Sequence, residues 1–352
     1  MTPIRAARAA LKALCLSCVA LSSGALSATA SRAGTLSEVT FGEYSNLSSN
    51  AEMARRLLSP LTGSKLAQIL ARSGTRFREQ PIDLAQESFV LFVPSSPPPP
   101  RGYALVVFIA PWNVAKVPDG WAAVLDQYGV IFVAAARSGN NTNAVGRREP
   151  LALLAEQNVV KRYPVDPQRI FIAGFSGGSR IALRLALGYA DLFHGAILNA
   201  SADPIGNAAM ALPPKDIFLQ FQNSTHLIYV TGDRDIVNHS FDAASKSSLR
   251  DFCVFNVDDQ DEHGVAHEVM TPAALTRALD TLSVPVQPEA DKLAPCRAAI
   301  ESDLRAKLQQ VGALIAAGQR DAARTLLDGI DARYGGLAAP ESLRLQGELA
   351  AQ

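Results

Sequence analysis

The sequence has no excess charge of either sign: Lys+Arg and Asp+Glu number 33 each in 352 residues. That balance argues against a dedicated nucleic-acid or anionic-membrane surface. Histidine is scarce, at five residues, and no two His, Asp or Glu positions make a metal motif such as H-E-x-x-H, so no metal is expected. There is no dinucleotide-type G-x-G-x-x-G near the first strand and no Gly-Lys-Ser/Thr phosphate loop. Long apolar runs are missing too. The stretch from Ala13 to Leu26 is interrupted by serines and falls short of the roughly 20 residues a membrane span needs.

That short run has its own meaning. Arg5, Arg8 and Lys12 precede it, and Ala28 and Ala30 supply an A-x-A cleavage site. Residues 1–30 are therefore expected to be a secretory signal, an uncleaved anchor being the alternative. After cleavage no stable membrane insertion is expected, and the mature chain should be exported, to the periplasm or the medium. Cys15 and Cys18 lack a lipidation lead-in and leave with the signal, so Cys253 and Cys296 remain. In an oxidising compartment an even pair suggests a disulfide. The alternative is two small buried apolar residues.

A chain of this length can hold one large α/β domain and a smaller appendage. Residues 31–85 read as a helical preamble, two short helices split by Pro60. Residues 86–284 alternate strand and helix. The run from Glu87 to Pro94 alternates like an antiparallel strand, and Tyr103 to Ala110 and Val130 to Ala136 are continuous apolar runs, as in strands covered on both faces. Further strands are expected at Arg169 to Ala173, Gly195 to Ala200, His226 to Gly232 and Phe252 to Val257, with a closing helix from Thr271 to Leu282. Right-handed crossovers then require a mostly parallel, doubly wound α/β sheet. A proline-rich linker, 285–296, leads to an alanine- and leucine-rich helical hairpin, 297–352, whose second segment is like one helix–turn–helix repeat unit of the tetratricopeptide kind, too few for a solenoid.

The chemistry centres on Gly174-Phe-Ser-Gly-Gly-Ser-Arg, lying between an expected strand and an expected helix. In a G-x-S-x-G turn the flanking glycines let strand and helix approach closely while the serine stands at the sheet edge. Ser176 is thus the candidate nucleophile, and the Gly177 N–H points at any developing oxyanion. An activated serine needs a base and an acid that orients it, in the chain order Ser, acid, His. Behind the strand ending at Thr231 stand Asp233 and Asp235, and Asp235 is favoured by its loop layout. Of His263 and His267, the second is favoured because it closes the Gly264-Val-Ala-His turn, whereas His263 sits in an acidic run.

Together, Gly174-Phe-Ser-Gly-Gly-Ser-Arg, Thr231-Gly-Asp-Arg-Asp and Gly264-Val-Ala-His resemble the α/β-hydrolase superfamily and, more narrowly, secreted esterases of the polyhydroxybutyrate depolymerase and feruloyl esterase type. The likeness covers residues 86–284. It implies a Ser176–His267–Asp235 triad, no cofactor, and a small-molecule or polymeric ester as substrate. The chain departs from the pattern after the strand Tyr103 to Ala110, where a His-Gly is usual and Ala110-Pro111-Trp112-Asn113 stands instead. Pro111 has no N–H to give, so Trp112 or Asn113 must supply the second oxyanion donor, with Trp112 taken as the donor and both as candidate substrate contacts. A peptidase of the same fold and a non-catalytic binding protein on a hydrolase scaffold are the competing readings. The oligomeric state is not legible.

Overall fold

The computed structural model describes residues 33–76 and 79–351; the expected signal, 1–30, lies outside them. The described chain opens with β1 (Gly34–Val39), α1 (Asn50–Leu57) and α2 (Pro60–Arg72), then β2 (Phe89–Val93) and β3 (Tyr103–Ile109). It continues through α3 (Trp121–Tyr128), β4 (Val130–Ala135), α4 (Glu149–Arg162), β5 (Val165–Phe175), α5 (Gly177–Gly188) and β6 (Gly195–Asn199). After these come α6 (Lys215–Ser224), β7 (His226–Gly232), α7 (Ile236–Asp251), β8 (Val257–Glu262) and α8 (Pro272–Leu282). Three helices end the chain: α9 (Ala290–Ala316), α10 (Arg320–Tyr334) and α11 (Glu341–Ala351).

The eight strands form one sheet in the order β1-β2-β4-β3-β5-β6-β7-β8. The β1–β2 and β2–β4 pairs are antiparallel and the other five are parallel. This is the doubly wound, mostly parallel sheet of the α/β-hydrolase fold. The central strands are continuous apolar runs because both of their faces are covered. Along β3, Leu105, Val107 and Ile109 join one apolar layer, and Ala104, Val106 and Phe108 join the other. Helices α3 and α8 close the second layer, with Trp121 fully buried and its Nε1–H donating to the Met270 carbonyl at 3.0 Å. Helices α4 and α5 close the first.

That first layer runs on into the C-terminal helices. Leu304, Val311 and Ile315 of α9, Leu327 and Ile330 of α10, and Leu345 and Leu349 of α11 belong to it. The expected hairpin is α9 with α10, and α11 adds a third helix. Helix α9 also begins inside the stretch expected to be a linker, passing Pro295 in its second turn. Pro295 stands past the first turn, so the Asp291 carbonyl goes without the N–H it would otherwise accept within the helix. The preamble grips the same bundle: Asp331 of α10 accepts the Leu61 N–H at 3.1 Å and the Ser59 hydroxyl, serving as a remote cap for α2. Cys253 and Cys296 are disulfide-bonded, tying the end of α7 to α9, with a Cα–Cα distance of 5.9 Å. Closing a loop of 43 residues stabilises by roughly 4 kcal/mol on the chain-entropy model.

Two strands differ from the expectation: β1 opens the stretch expected to be a helical preamble, and the strand expected last is displaced. Phe252 to Asn256 is not a strand; the last strand is β8, Val257–Glu262, paired in parallel with β7. Cys253 has φ +59°, and the Cys253 and Val254 N–H groups bond back to carbonyls of α7, so these apolar residues end a helix and fill the core beneath it. The acidic run before His263 is thus an edge strand. Charged side chains on an edge also discourage pairing with another sheet.

Glu156 on α4 is buried, and that burial pushes its carboxyl up to about 7 from 4.5. A carboxyl whose folded value is raised contributes stability that is fully present below the unfolded value and is lost as pH rises through the folded one. Glu156→Gln should therefore melt like the parent near pH 4.5 and be more stable by roughly 3 kcal/mol at pH 8. Melting curves that differ by the same amount at both pH values would contradict this.

Candidate active site

Strand β5 meets α5 at Ser176, which has φ +55° and ψ −124°. A non-glycine residue with such backbone angles costs about 1–3 kcal/mol, and it persists only where its surroundings enforce it. Here the enforcement is close packing. A Cβ on Gly178 would lie 1.8 Å from the Ile109 carbonyl oxygen, and one on Gly174 would lie 2.3 Å from the Gly178 oxygen. Only glycine lets α5 start so near the ends of β3 and β5. The Ser176 N–H donates to the Asn199 carbonyl at 2.8 Å, which locks the turn to β6.

The serine hydroxyl lies 2.9 Å from His267 Nε2, and His267 Nδ1 lies 2.5 Å from Asp235 Oδ2. The three residues that the sequence singles out therefore meet in one relay, drawn from the ends of β5 and β7 and from the loop after β8. Asp235 is buried while His267 is half exposed. Burial pushes the Asp235 carboxyl up, but hydrogen bonds from His267 and from Asn238 Nδ2, at 2.8 Å to each oxygen, outweigh it. The carboxyl is held below its ordinary range and stays ionised. The His267 ring lies on Phe175, centroids 4.9 Å apart.

The rejected candidates have other work. Asp233 accepts the Gly264 N–H at 2.8 Å, fixing the turn that carries His267. His263 is almost fully exposed beside Asp233. His226 pairs with Asp258, and His239 lies against the Gly232 carbonyl.

The segment after β3 is braced from several sides. Asn113 accepts the Arg137 N–H on its carbonyl at 2.6 Å and the Gly139 N–H on its Oδ1 at 2.9 Å, so its side-chain oxygen faces the neighbouring loop rather than open solvent. The Trp112 N–H donates to no group among the described residues. Its indole packs on Phe108 and Phe175, at 6.3 and 6.1 Å between centroids, with Lys116 above it. It joins the sheet's aromatic layer and not the preamble helices.

Two positioning groups have no motif in the sequence. Arg148, buried at the end of a π-helical turn before α4, donates to the carbonyls of Ser138 (3.0 Å), Gly177 (3.3 Å) and Ala110 (3.0 Å). One guanidinium thus ties the elbow to the loops after β3 and β4. Its five fixed donors make that geometry possible. Asn199, also buried, donates to the Val230 carbonyl and accepts the Met270 N–H, linking the elbow strand's neighbour to the segment behind His267.

Solved structures similar to this chain include the following, each at low identity. The chain is similar to dipeptidyl peptidase 4 of Porphyromonas gingivalis at 18% identity and TM-score 0.43, over 56% of this chain and 33% of that one. It is similar to the S-formylglutathione hydrolase of Staphylococcus aureus at 13% and 0.42, over 56% and 93%. It is similar to a ferulic acid esterase at 17% and 0.43, over 56% and 91%. No family model and no curated protein matches the chain. The fold assignment therefore rests on the sheet order, and the site on its own geometry.

The geometry separates the two histidines sharply. His267→Ala should abolish any Ser176-dependent turnover, while His263→Ala should leave it within about twofold, since the exposed ring touches only Asp233. Steady-state rates on purified variants check this; the reverse order of effects would move the base to the acidic turn.

Proposed function

We propose that the chain is an exported serine hydrolase that cleaves carboxylic esters through an acyl-enzyme on Ser176. The observation that carries this reading is the relay itself, Asp235 to His267 at 2.5 Å and His267 to Ser176 at 2.9 Å, above a strained elbow. Ser176 Oγ attacks the ester carbonyl carbon as its proton passes to His267 Nε2. The carbonyl electron pair moves onto oxygen, where the Gly177 and Trp112 N–H groups hold the charge. Collapse expels the alcohol, which takes the proton from His267. Water then attacks the acyl-enzyme with the same base and frees the acid. Asp235 fixes the imidazole tautomer and stabilises its charged form.

The surroundings support an apolar acyl or aryl ester, small or polymeric. Phe175 and Trp112 lie beside His267 and the elbow, and Ile236 and Val237, immediately after Asp235, are exposed, as is Val114 in the loop after β3. Export is supported by the basic and apolar pattern of residues 1–30 and by the Cys253–Cys296 disulfide, a bond that persists in oxidising compartments. Among the described residues no helix is long and apolar enough to cross a membrane.

Ser176→Ala should lower kcat on p-nitrophenyl esters by a factor on the order of 10⁶ while leaving the fold intact. The parent, not the variant, should take up a fluorophosphonate label. Label-free parent protein would favour a binding role on this scaffold, and faster cleavage of peptide amides than of esters would favour a peptidase.

A further inference from the structure

In the loop after β3, Pro111 has no N–H to offer an oxyanion. Its carbonyl is in use all the same: it accepts the Asn140 N–H at 2.9 Å. With the two bonds that Asn113 accepts from the Arg137 and Gly139 N–H groups, this anchors the loop after β4 directly against the loop after β3. The result is visible at Gly177. A Cβ there would lie 2.3 Å from Asn140 Oδ1 and 2.8 Å from both Cγ and Nδ2. The carboxamide of Asn140 therefore rests on the Cα of Gly177, the residue whose N–H is assigned to the oxyanion. Neither of its polar atoms has a hydrogen-bond partner among the described residues, and the side chain is exposed.

We propose that Asn140 is a catalytic residue, donating its Nδ2–H to the oxyanion formed when Ser176 attacks an ester carbonyl. The proposal rests on the ester-hydrolase reading and deepens it. In the tetrahedral species the former carbonyl oxygen carries the negative charge, and a neutral N–H donor held in place before the reaction stabilises it without reorganisation. No proton is transferred to or from Asn140. Arg148 keeps the arrangement rigid, since the loop after β4, the elbow and the end of β3 all hang on its guanidinium. The glycine at 177 follows from the same contact, as any larger residue would displace the carboxamide.

The test uses the mature full chain and p-nitrophenyl butyrate, comparing the parent with Asn140→Ala and Asn140→Asp. Both variants should melt within a few degrees of the parent, because the side chain packs against no core residue. Asn140→Ala should lower kcat by roughly 10²–10³ with KM changed less than about threefold, the pattern of an interaction made only in the transition state. Asn140→Asp, of the same shape but offering an anion in place of a donor, should be slower still. The affinity of a trifluoromethyl ketone, which forms the same oxyanion on Ser176, should fall in parallel with kcat/KM. A parent that turns over esters while both variants retain kcat within threefold would overturn the proposal and leave the ester reading standing. A loss confined to KM, or one matched by a lower melting temperature, would overturn it as well. A parent inactive on esters and unlabelled by fluorophosphonate would sink both.

Discussion

The close crossing of α5 over the end of β3 is the constraint from which the site follows. The Gly178 Cα faces the Ile109 carbonyl so closely that no Cβ fits, and this contact holds Ser176 at φ +55°. The strained turn aims the hydroxyl out of the sheet, where it meets His267 Nε2 at 2.9 Å. Strain of that kind survives because the sheet beneath it is rigid: Ile109, Ala173 and Phe175 are buried, with Ile109 paired to Gly174, Phe175 to Asn199, and Ala173 to strands on both sides. Local discomfort at one residue is set against the cohesion of a whole apolar layer.

Around the crossing, polar groups do what apolar packing cannot, which is to fix loops in register with one another. Buried Arg148 and Asn199 bond mainly to backbone carbonyls and N–H groups rather than to other side chains. Such a pattern is costly to break, because each lost partner leaves a buried group unsatisfied. Arg148 itself has its proton affinity lowered by burial, partly offset by neighbouring Glu149. Asn238 plays the corresponding part at the acid, its Nδ2 reaching both oxygens of Asp235 and lying 2.9 Å from His267 Nδ1.

Much of this was legible in the sequence. The apolar runs gave the central strands because both faces of the sheet are covered, and Ser176, Asp235 and His267 followed from spacing and chain order. The misses have physical causes. Acidic β8 does not read as a strand because its pairing energy comes from backbone bonds to β7, while Phe252 to Val254 read as one although they pack under a helix end. Helix α7 has exposed Ile236, Val237 and Phe241, so its pattern lacks a clean apolar face. Helix α11 and strand β1 are short and take their stability from partners far away in sequence. Arg148 joins three segments distant in sequence, which no local motif encodes, and Asn140 and Asn238 are surface-type amides whose neighbours only the folded chain supplies.

The central claim is that Ser176 becomes covalently acylated. Intact-mass measurement of the parent, quenched in acid within milliseconds of mixing with p-nitrophenyl butyrate, tests it directly. A population heavier by one butyryl group is expected, mapped by peptide analysis to Ser176 and absent from Ser176→Ala. Ester turnover with no mass shift on Ser176, or a shift on another residue, would contradict it.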